Sequence, residues 1–166
     1  MRLDSRDIQI LVLLQQNARI KIAELASRIH LSVTPAWQRV KRLESAGFIT
    51  GYHARIDLLR LPGSITEIFV TILLEEHRTS ATKRFEAVIS GVPEVVSCHG
   101  VAGGLDYIVR FFVKDITHYQ RIINSLLEAN IGIKEYYTYV VTQDVKDEHI
   151  YSEAVLNLAQ TNAKRD

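Results

Sequence analysis

The stretch Ser32-Val33-Thr34-Pro35-Ala36-Trp37-Gln38-Arg39-Val40-Lys41-Arg42-Leu43-Glu44-Ser45-Ala46-Gly47 carries start and stop signals for one short helix. Its opening hydroxyls suit a helix N-terminus, where they satisfy unpaired backbone N–H groups, and proline is tolerated in the first turn. Gly47 suits a left-handed cap at the other end. At about 100° per residue, Ala36 and Leu43 fall within roughly 60° of Val40 and form a narrow apolar stripe. Thr34, Pro35, Gln38, Lys41, Arg42 and Ser45 occupy the far side, while Glu44 points nearer the core. A solvated face normally mixes its charges, so cations and an amide without an acid point to an anionic partner. Trp37, at the margin of the stripe, is expected to pack against the first helix or the segment after Gly47 rather than to read DNA.

Upstream, Ile22, Leu25, Ala26 and Ile29 repeat at the spacing of a short amphipathic helix. Only His30, Leu31 and Ser32 separate it from the helix above. So tight a pair is the helix-turn-helix pattern, in which the second helix enters the major groove, although helical hairpins without a DNA role share the spacing. Before it, Asp4 to Gln16 reads as a helix capped by Asp4, with Asp7 near the positive end of the dipole. Ile8, Leu11 and Val12, widened by Ile10, Leu13 and Leu14, leave little of that helix polar. It needs cover on more than one side, from a neighbouring domain or, as the favoured source, a second copy of the chain.

Downstream, Phe48 to Ile56 gives two short apolar stretches separated by Thr50-Gly51, read as a small β-wing with Gly51 supplying a positive φ. His53 and Arg55 alternate with Tyr52, Ala54 and Ile56, and either face a phosphate backbone or line a solvated edge. Residues 1–56 thus form a winged helix-turn-helix unit, and 57–64, with Pro62-Gly63, a linker. The periodicity then changes. Strand-like 65–74, helical 80–90, strand-like 94–101 and 106–113, helical 115–128 and strand-like 131–142 spell β-α-β-β-α-β, a ferredoxin-like domain over 65–144. The fold class is α+β. The strands are apolar on both sides, so the face without helices is expected to meet a partner copy. The order of the polar tail, 145–166, is not legible.

Composition agrees with a globular chain of 166 residues, 47% hydrophobic and 23% charged. The net charge of +1 hides an asymmetry: residues 1–60 carry ten Lys and Arg against five Asp and Glu, the remainder ten against fourteen. Only the front is basic, as expected if it alone meets an anionic polymer. No apolar run is long enough to span a membrane and no export signal is evident, so a cytoplasmic location is expected. The single cysteine, Cys98, forms no internal disulfide and is expected to be a small buried residue.

In order and spacing, Leu3-Asp4, Asp7, Ile10-Leu11, Leu14-Gln15, Asn17-Ala18-Arg19, Glu24-Leu25-Ala26, Leu31-Ser32, Arg39-Val40, Arg42-Leu43-Glu44, Gly47 and Ile49 resemble the first half of the Lrp/AsnC, or feast/famine, transcription regulators. Pro93-Glu94-Val95, Gly103, Asp106-Tyr107 and Thr138 are similar to its second half. The resemblance implies a DNA-binding winged helix-turn-helix joined to a ferredoxin-like sensor domain of the RAM type, assembling as homodimers and often octamers. It also implies a small effector, usually a free amino acid, held near the turn between the two middle strands. This chain differs from the family's usual turn at Gly104 and Leu105, and has Tyr136 where a threonine is common.

For DNA, Ser32, Thr34 and Pro35 lie at the helix tip, near a phosphate or a base edge, and Gln38 is suited to adenine. Lys41 and Arg42 read as phosphate clamps. Arg39 reads equally as a phosphate contact or an internal bond, and a dimer implies a pseudopalindromic operator. The effector candidates are Val101, Gly103, Gly104, Leu105, Asp106 and Thr138: accessible N–H groups suit a carboxylate and Asp106 suits an ammonium. Read without the resemblance, Gly103-Gly104 simply turns a hairpin that Asp106 caps. His77, Cys98, His99 and His118 show no catalytic or metal-ligand spacing, so no enzyme, cofactor or metal is expected. The closer alternative is an architectural DNA binder blind to effectors.

Overall fold

Helix α1 (Ser5–Gln16) begins with a reciprocal cap. The Asp7 N–H donates to Asp4 Oδ1 at 2.9 Å and the Asp4 N–H donates to Asp7 Oδ2 at 3.0 Å, satisfying two backbone donors that the helix start leaves open. Helix α2 (Ile22–Arg28) ends at His30, whose φ of 54° turns the chain. There the Leu31 N–H reaches back to the Ala26 carbonyl and the His30 N–H to that of Ser27. Helix α3 (Val33–Ser45) follows at once and closes in the same way, with Gly47 at φ 75° and the Phe48 N–H donating to the Leu43 carbonyl. Ser32 holds the cap position of α3, but its side chain makes no capping bond.

Ile10, Leu25, Ala26, Ile29, Ala36, Val40 and Leu43 close this core, with Leu3, Leu11, Ile20, Leu31 and Ile49 packed around it. Each large aliphatic side chain buried there contributes about 1.5–3 kcal/mol. The computed structural model describes residues 2–146 and 151–161; residues 147–150 and 162–166 of the expected tail lie outside them. Within the tail, helix α6 (Glu153–Thr161) belongs to the same unit as residues up to 55 and packs on α1. The Gln15 side-chain amide donates to the Tyr151 carbonyl at 3.3 Å, and its oxygen accepts the Tyr151 N–H at 2.9 Å. Part of the cover for the apolar α1 is therefore supplied by α6 of the same chain.

The expected wing is absent as a hairpin: residues 49–57 form no strand. Gly51 does not take a positive φ, and the His53 imidazole sits only 2.7 Å from where a Cβ on Gly51 would lie. Close approach of that ring, rather than a tight turn, is what the glycine permits. A lone extended segment has no ladder partner, so it has no strand to form. A 3-10 turn over Leu58–Arg60 interrupts the expected linker.

Residues 56–145 form the second unit. Strands β1 (Thr66–Leu74), β2 (Val95–Gly100), β3 (Tyr107–Val113) and β4 (Ile133–Val140) make one antiparallel sheet in the order β2-β3-β1-β4. Helices α4 (Thr79–Ile89) and α5 (Ile116–Glu128) complete β-α-β-β-α-β, as expected from the sequence. Ile68, Val70, Ile72 and Leu74 of β1 and Tyr107, Val109, Phe111 and Val113 of β3 alternate inward against Phe85, Ile89, Tyr119, Ile123 and Leu126 of the helices. The alternate residues occupy the other face. There Arg110 Nε donates to Glu67 Oε1 at 2.6 Å, and the guanidinium lies 5.8 Å and 5.0 Å from the ring centroids of Phe69 and Phe112. The cation is thus held by a carboxylate and two aromatic faces.

Candidate nucleic-acid interface and effector site

Helix α3 presents Ser32, Thr34, Gln38, Lys41 and Arg42 as exposed residues, with Pro35 half-buried at the tip. Because Ser32 makes no capping bond, the N–H groups of the first turn stay open to an anion. The cations of the helix are not free. Lys41 Nζ donates to Glu44 Oε2 at 2.8 Å, and Glu44 also accepts the Tyr52 hydroxyl at 2.8 Å. The Lys41 bond, followed by that of Tyr52, holds the Glu44 carboxyl below its ordinary value; burial and this carboxylate push the Tyr52 phenol up to about 12. The segment after Gly47 is therefore tied to α3 by Tyr52 rather than by a strand ladder.

Arg39 and Arg42 converge on α1. Arg39 Nη1 lies 2.6 Å from Asp4 Oδ2 and 2.8 Å from Asp7 Oδ1, and Arg42 Nη2 lies 2.8 Å from both oxygens of Asp7. The Asp4 carboxylate raises the Arg39 value above its ordinary one, more than burial lowers it. Asp7 is 1% exposed, so its charge is compensated entirely by these guanidiniums and the Asp4 N–H. Arg39 thus makes the internal bond. Arg42 keeps an exposed edge while bonding Asp7, a partner that sequence reasoning did not give it. The signal was available: Asp7 lies on the stripe of α1 that meets α3. His53 and Arg55 are exposed on the extended segment. Trp37 does not pack into the core margin as expected; it is 51% exposed.

In the sheet unit, the turn from Val101 to Asp106 joins β2 to β3 and closes with a Val101 N–H bond to the Asp106 carbonyl. Gly103 takes φ 149°, which a side chain would strain, and open space surrounds both Gly103 and Gly104. Among the described residues, the N–H groups of Ala102, Gly103 and Gly104 make no hydrogen bond. The Asp106 carboxylate accepts the Leu74 N–H at 2.7 Å through one oxygen, and His77 Nδ1 lies 3.1 Å from the other. Leu105 is half-buried. Thr138 is not brought to this turn. It pairs with Val70, β1 lies between its strand and β3, and its hydroxyl meets that of Tyr119 at 2.6 Å. That pair lines a groove of about 400 Å³ between α5 and β4, with Gln120, Asn124 and Tyr136. Cys98 is half-buried, and burial, then Glu86, raises its thiol. Among the described residues, no cluster of three or more metal-ligating side chains forms and no helix is long and apolar enough to cross a membrane.

The winged helix-turn-helix DNA-binding family matches residues 3–50, and the Lrp/AsnC ligand binding domain matches residues 67–151. The chain belongs to the Lrp/AsnC family of transcription regulators. The transcriptional regulatory protein DoeX of Halomonas elongata is 44% identical over 146 residues, which cover 88% of this chain and 92% of DoeX. Among solved structures, an AsnC family transcriptional regulator from Agrobacterium tumefaciens superposes with a TM-score of 0.82 at 30% identity, covering 90% of this chain and 97% of that one. A transcriptional regulator from Neisseria meningitidis in complex with L-Met superposes with a TM-score of 0.83 at 28% identity, covering 93% and 99%. As in other Lrp/AsnC regulators, a DNA-binding helix-turn-helix is joined here to a ligand-binding sheet domain. The named relatives are regulators, and the chain is one too, not an enzyme.

Proposed function

We propose that this Lrp/AsnC regulator binds a pseudopalindromic operator sequence-specifically through α3, and that a free amino acid or similar metabolite, bound by the sheet unit, controls that binding. The main support is the turn at Gly103-Gly104, whose open N–H groups share one short loop with the acid Asp106. A zwitterion carries the two charges that such a turn complements. The relative solved with L-Met adds support for the ligand class.

On the DNA side, Thr34, Pro35 and Gln38 contact base edges and the exposed edges of Lys41 and Arg42 meet phosphates, with Ser32, Arg39, His53 and Arg55 flanking. A homodimer forms through the sheet face bearing Phe69, Ile108, Arg110 and Phe112, and dimers associate further, up to an octamer. Two recognition helices then meet half-sites one or more helical turns apart.

Isothermal titration of the full chain with a panel of amino acids, paired with footprinting in their presence and absence, tests this reading. Heat and an altered footprint with one member are expected. One observation favours a second reading: the Asp106 carboxylate is already engaged by Leu74 and His77, as a purely structural turn requires. Silence from every amino acid, with the footprint unchanged, identifies an architectural DNA binder.

A further inference from the structure

The chain has a single tryptophan, and α3 leaves it half in solvent. Trp37 is 51% exposed and Val33, one turn earlier, 47%. Among the described residues the indole N–H donates to no acceptor and the ring stacks on no other. Two of the three cations of α3 are drawn toward Asp7, leaving the indole the largest side chain on the exposed face. A tryptophan combines a large rigid apolar surface with one donor, and such rings dominate recognition surfaces when left uncovered.

We propose that Trp37 is a specificity-determining residue, packing its indole against a thymine methyl in the major groove and donating its Nε1–H to an adjacent phosphate oxygen. This rests on the reading of α3 as the DNA-contacting helix. The occupant follows from the helix-turn-helix, whose second helix is the one that enters the major groove. Lys41, one turn further along, is 54% exposed in its side chain although Glu44 pairs with it, so its ammonium can turn to a phosphate beside the indole. A duplex supplies phosphates for the cations and, uniquely at thymine, a methyl group for the ring.

The test uses the full chain and duplexes it selects from a pool of randomised sequence. Because Trp37 is the only tryptophan, its emission reports the site, while anisotropy of labelled DNA reports binding independently. Saturation with a selected duplex is expected to shift and quench the emission. Replacing thymines by uracil one at a time is expected to weaken wild-type binding about fourfold at one position, the effect of losing one buried methyl. Trp37→Ala should bind both versions of that duplex equally. Trp37→Phe, which keeps a ring but no donor, should retain the discrimination at lower overall affinity. Unchanged emission at saturating DNA, or the same uracil profile in wild type and Trp37→Ala, overturns the proposal while leaving DNA binding intact. A lower sedimenting mass for Trp37→Ala without DNA also overturns it, by assigning the ring to a contact between copies. Enrichment of no duplex by the wild type removes the DNA reading and this proposal together.

Discussion

Arg42 Nη2 lies 2.8 Å from both carboxylate oxygens of Asp7, a residue 35 positions earlier and almost wholly buried. The recognition helix is therefore braced against α1 by charge as well as by the Ala36, Val40 and Leu43 stripe. Removing the acid strands the Arg42 guanidinium, leaves Arg39 with Asp4 alone and opens one backbone donor of the α1 cap. Asp7→Asn is expected to cost about 2–4 kcal/mol, below the limit for fully buried pairs because Arg42 is half exposed. Arg42→Ala should cost less, since Arg39 still neutralises Asp7. Urea unfolding of both variants checks the order; equal, small losses would remove the brace.

Asp4 gives that cluster a pH dependence. Burial alone would raise its carboxyl, but the Asp7 N–H and the Arg39 guanidinium outweigh it and hold the value below the ordinary 3.8. A carboxyl depressed on folding adds stability that is present above its unfolded value and lost as the pH falls through the folded one. Asp4→Ala is expected to lower stability by about 1 kcal/mol at neutral pH, mainly through the lost cap. The gap between variant and wild type should narrow below the ordinary carboxylate range. A gap that widens in acid contradicts the assignment.

The helix-turn-helix and the sheet were legible because each rests on local periodicity. Leu25, Ala26 and Ile29 keep the helical spacing, and Ile68, Val70, Ile72 and Leu74 alternate in β1. What failed depended on where side chains pack, which periodicity does not encode. Thr50-Gly51 has the composition of a hairpin turn, but a turn needs a second strand, and His53 folds over the glycine instead. Trp37 lies near the core stripe by angle alone, yet about half of it stays in solvent. Docking of α6 on α1 left no periodic signature in α1, which is apolar nearly all round. For the effector site, the open turn was legible from its glycines, whereas the bonds of Asp106 to Leu74 and of Thr138 to Tyr119 needed the register of the sheet.

Two tyrosines should ionise late. Burial first, then a carboxylate neighbour, pushes both phenols up to about 12: Tyr52 beside Glu44 and Tyr107 beside Glu86. A phenol raised on folding contributes stability below its unfolded value, near 10, and that contribution is lost as the pH rises toward 12. Ultraviolet titration is expected to show a late tyrosinate step, reduced in amplitude by Tyr52→Phe and again by Tyr107→Phe. A single step near 10 for every tyrosine counts against both hydrogen bonds.

Gly103 and Gly104 separate turn strain from ligand access. Neither would place a Cβ within 4 Å of another atom, but only Gly103 has a φ, 149°, that a side chain resists. Gly103→Ala should cost about 1–3 kcal/mol of stability, whereas Gly104→Ala should leave the melting curve unchanged. If the open N–H groups hold the effector carboxylate, a methyl at position 104 crowds it and lowers affinity in titration calorimetry. Full affinity in Gly104→Ala would move the carboxylate away from this turn.

Helix α6 is expected to be structural for the DNA-binding unit although it lies at the other end of the sequence. Truncation after residue 145 removes both hydrogen bonds of the Gln15 side chain to Tyr151, and with them the packing of half-buried Leu156. Two hydrogen bonds at about 1 kcal/mol each, plus that apolar contact, predict a loss of about 2–3 kcal/mol. The loss should fall on the unit that contains α1, because residues 56–145 close their own core. Hydrogen exchange locates it: amides of α1 should lose protection while those of β1 and β3 keep theirs. Gln15→Leu, which deletes the hydrogen bonds but leaves α6 in place, should show an intermediate effect. Unchanged protection of α1 in the truncated chain would mean that its cover comes from elsewhere, and a second copy would again be the leading source.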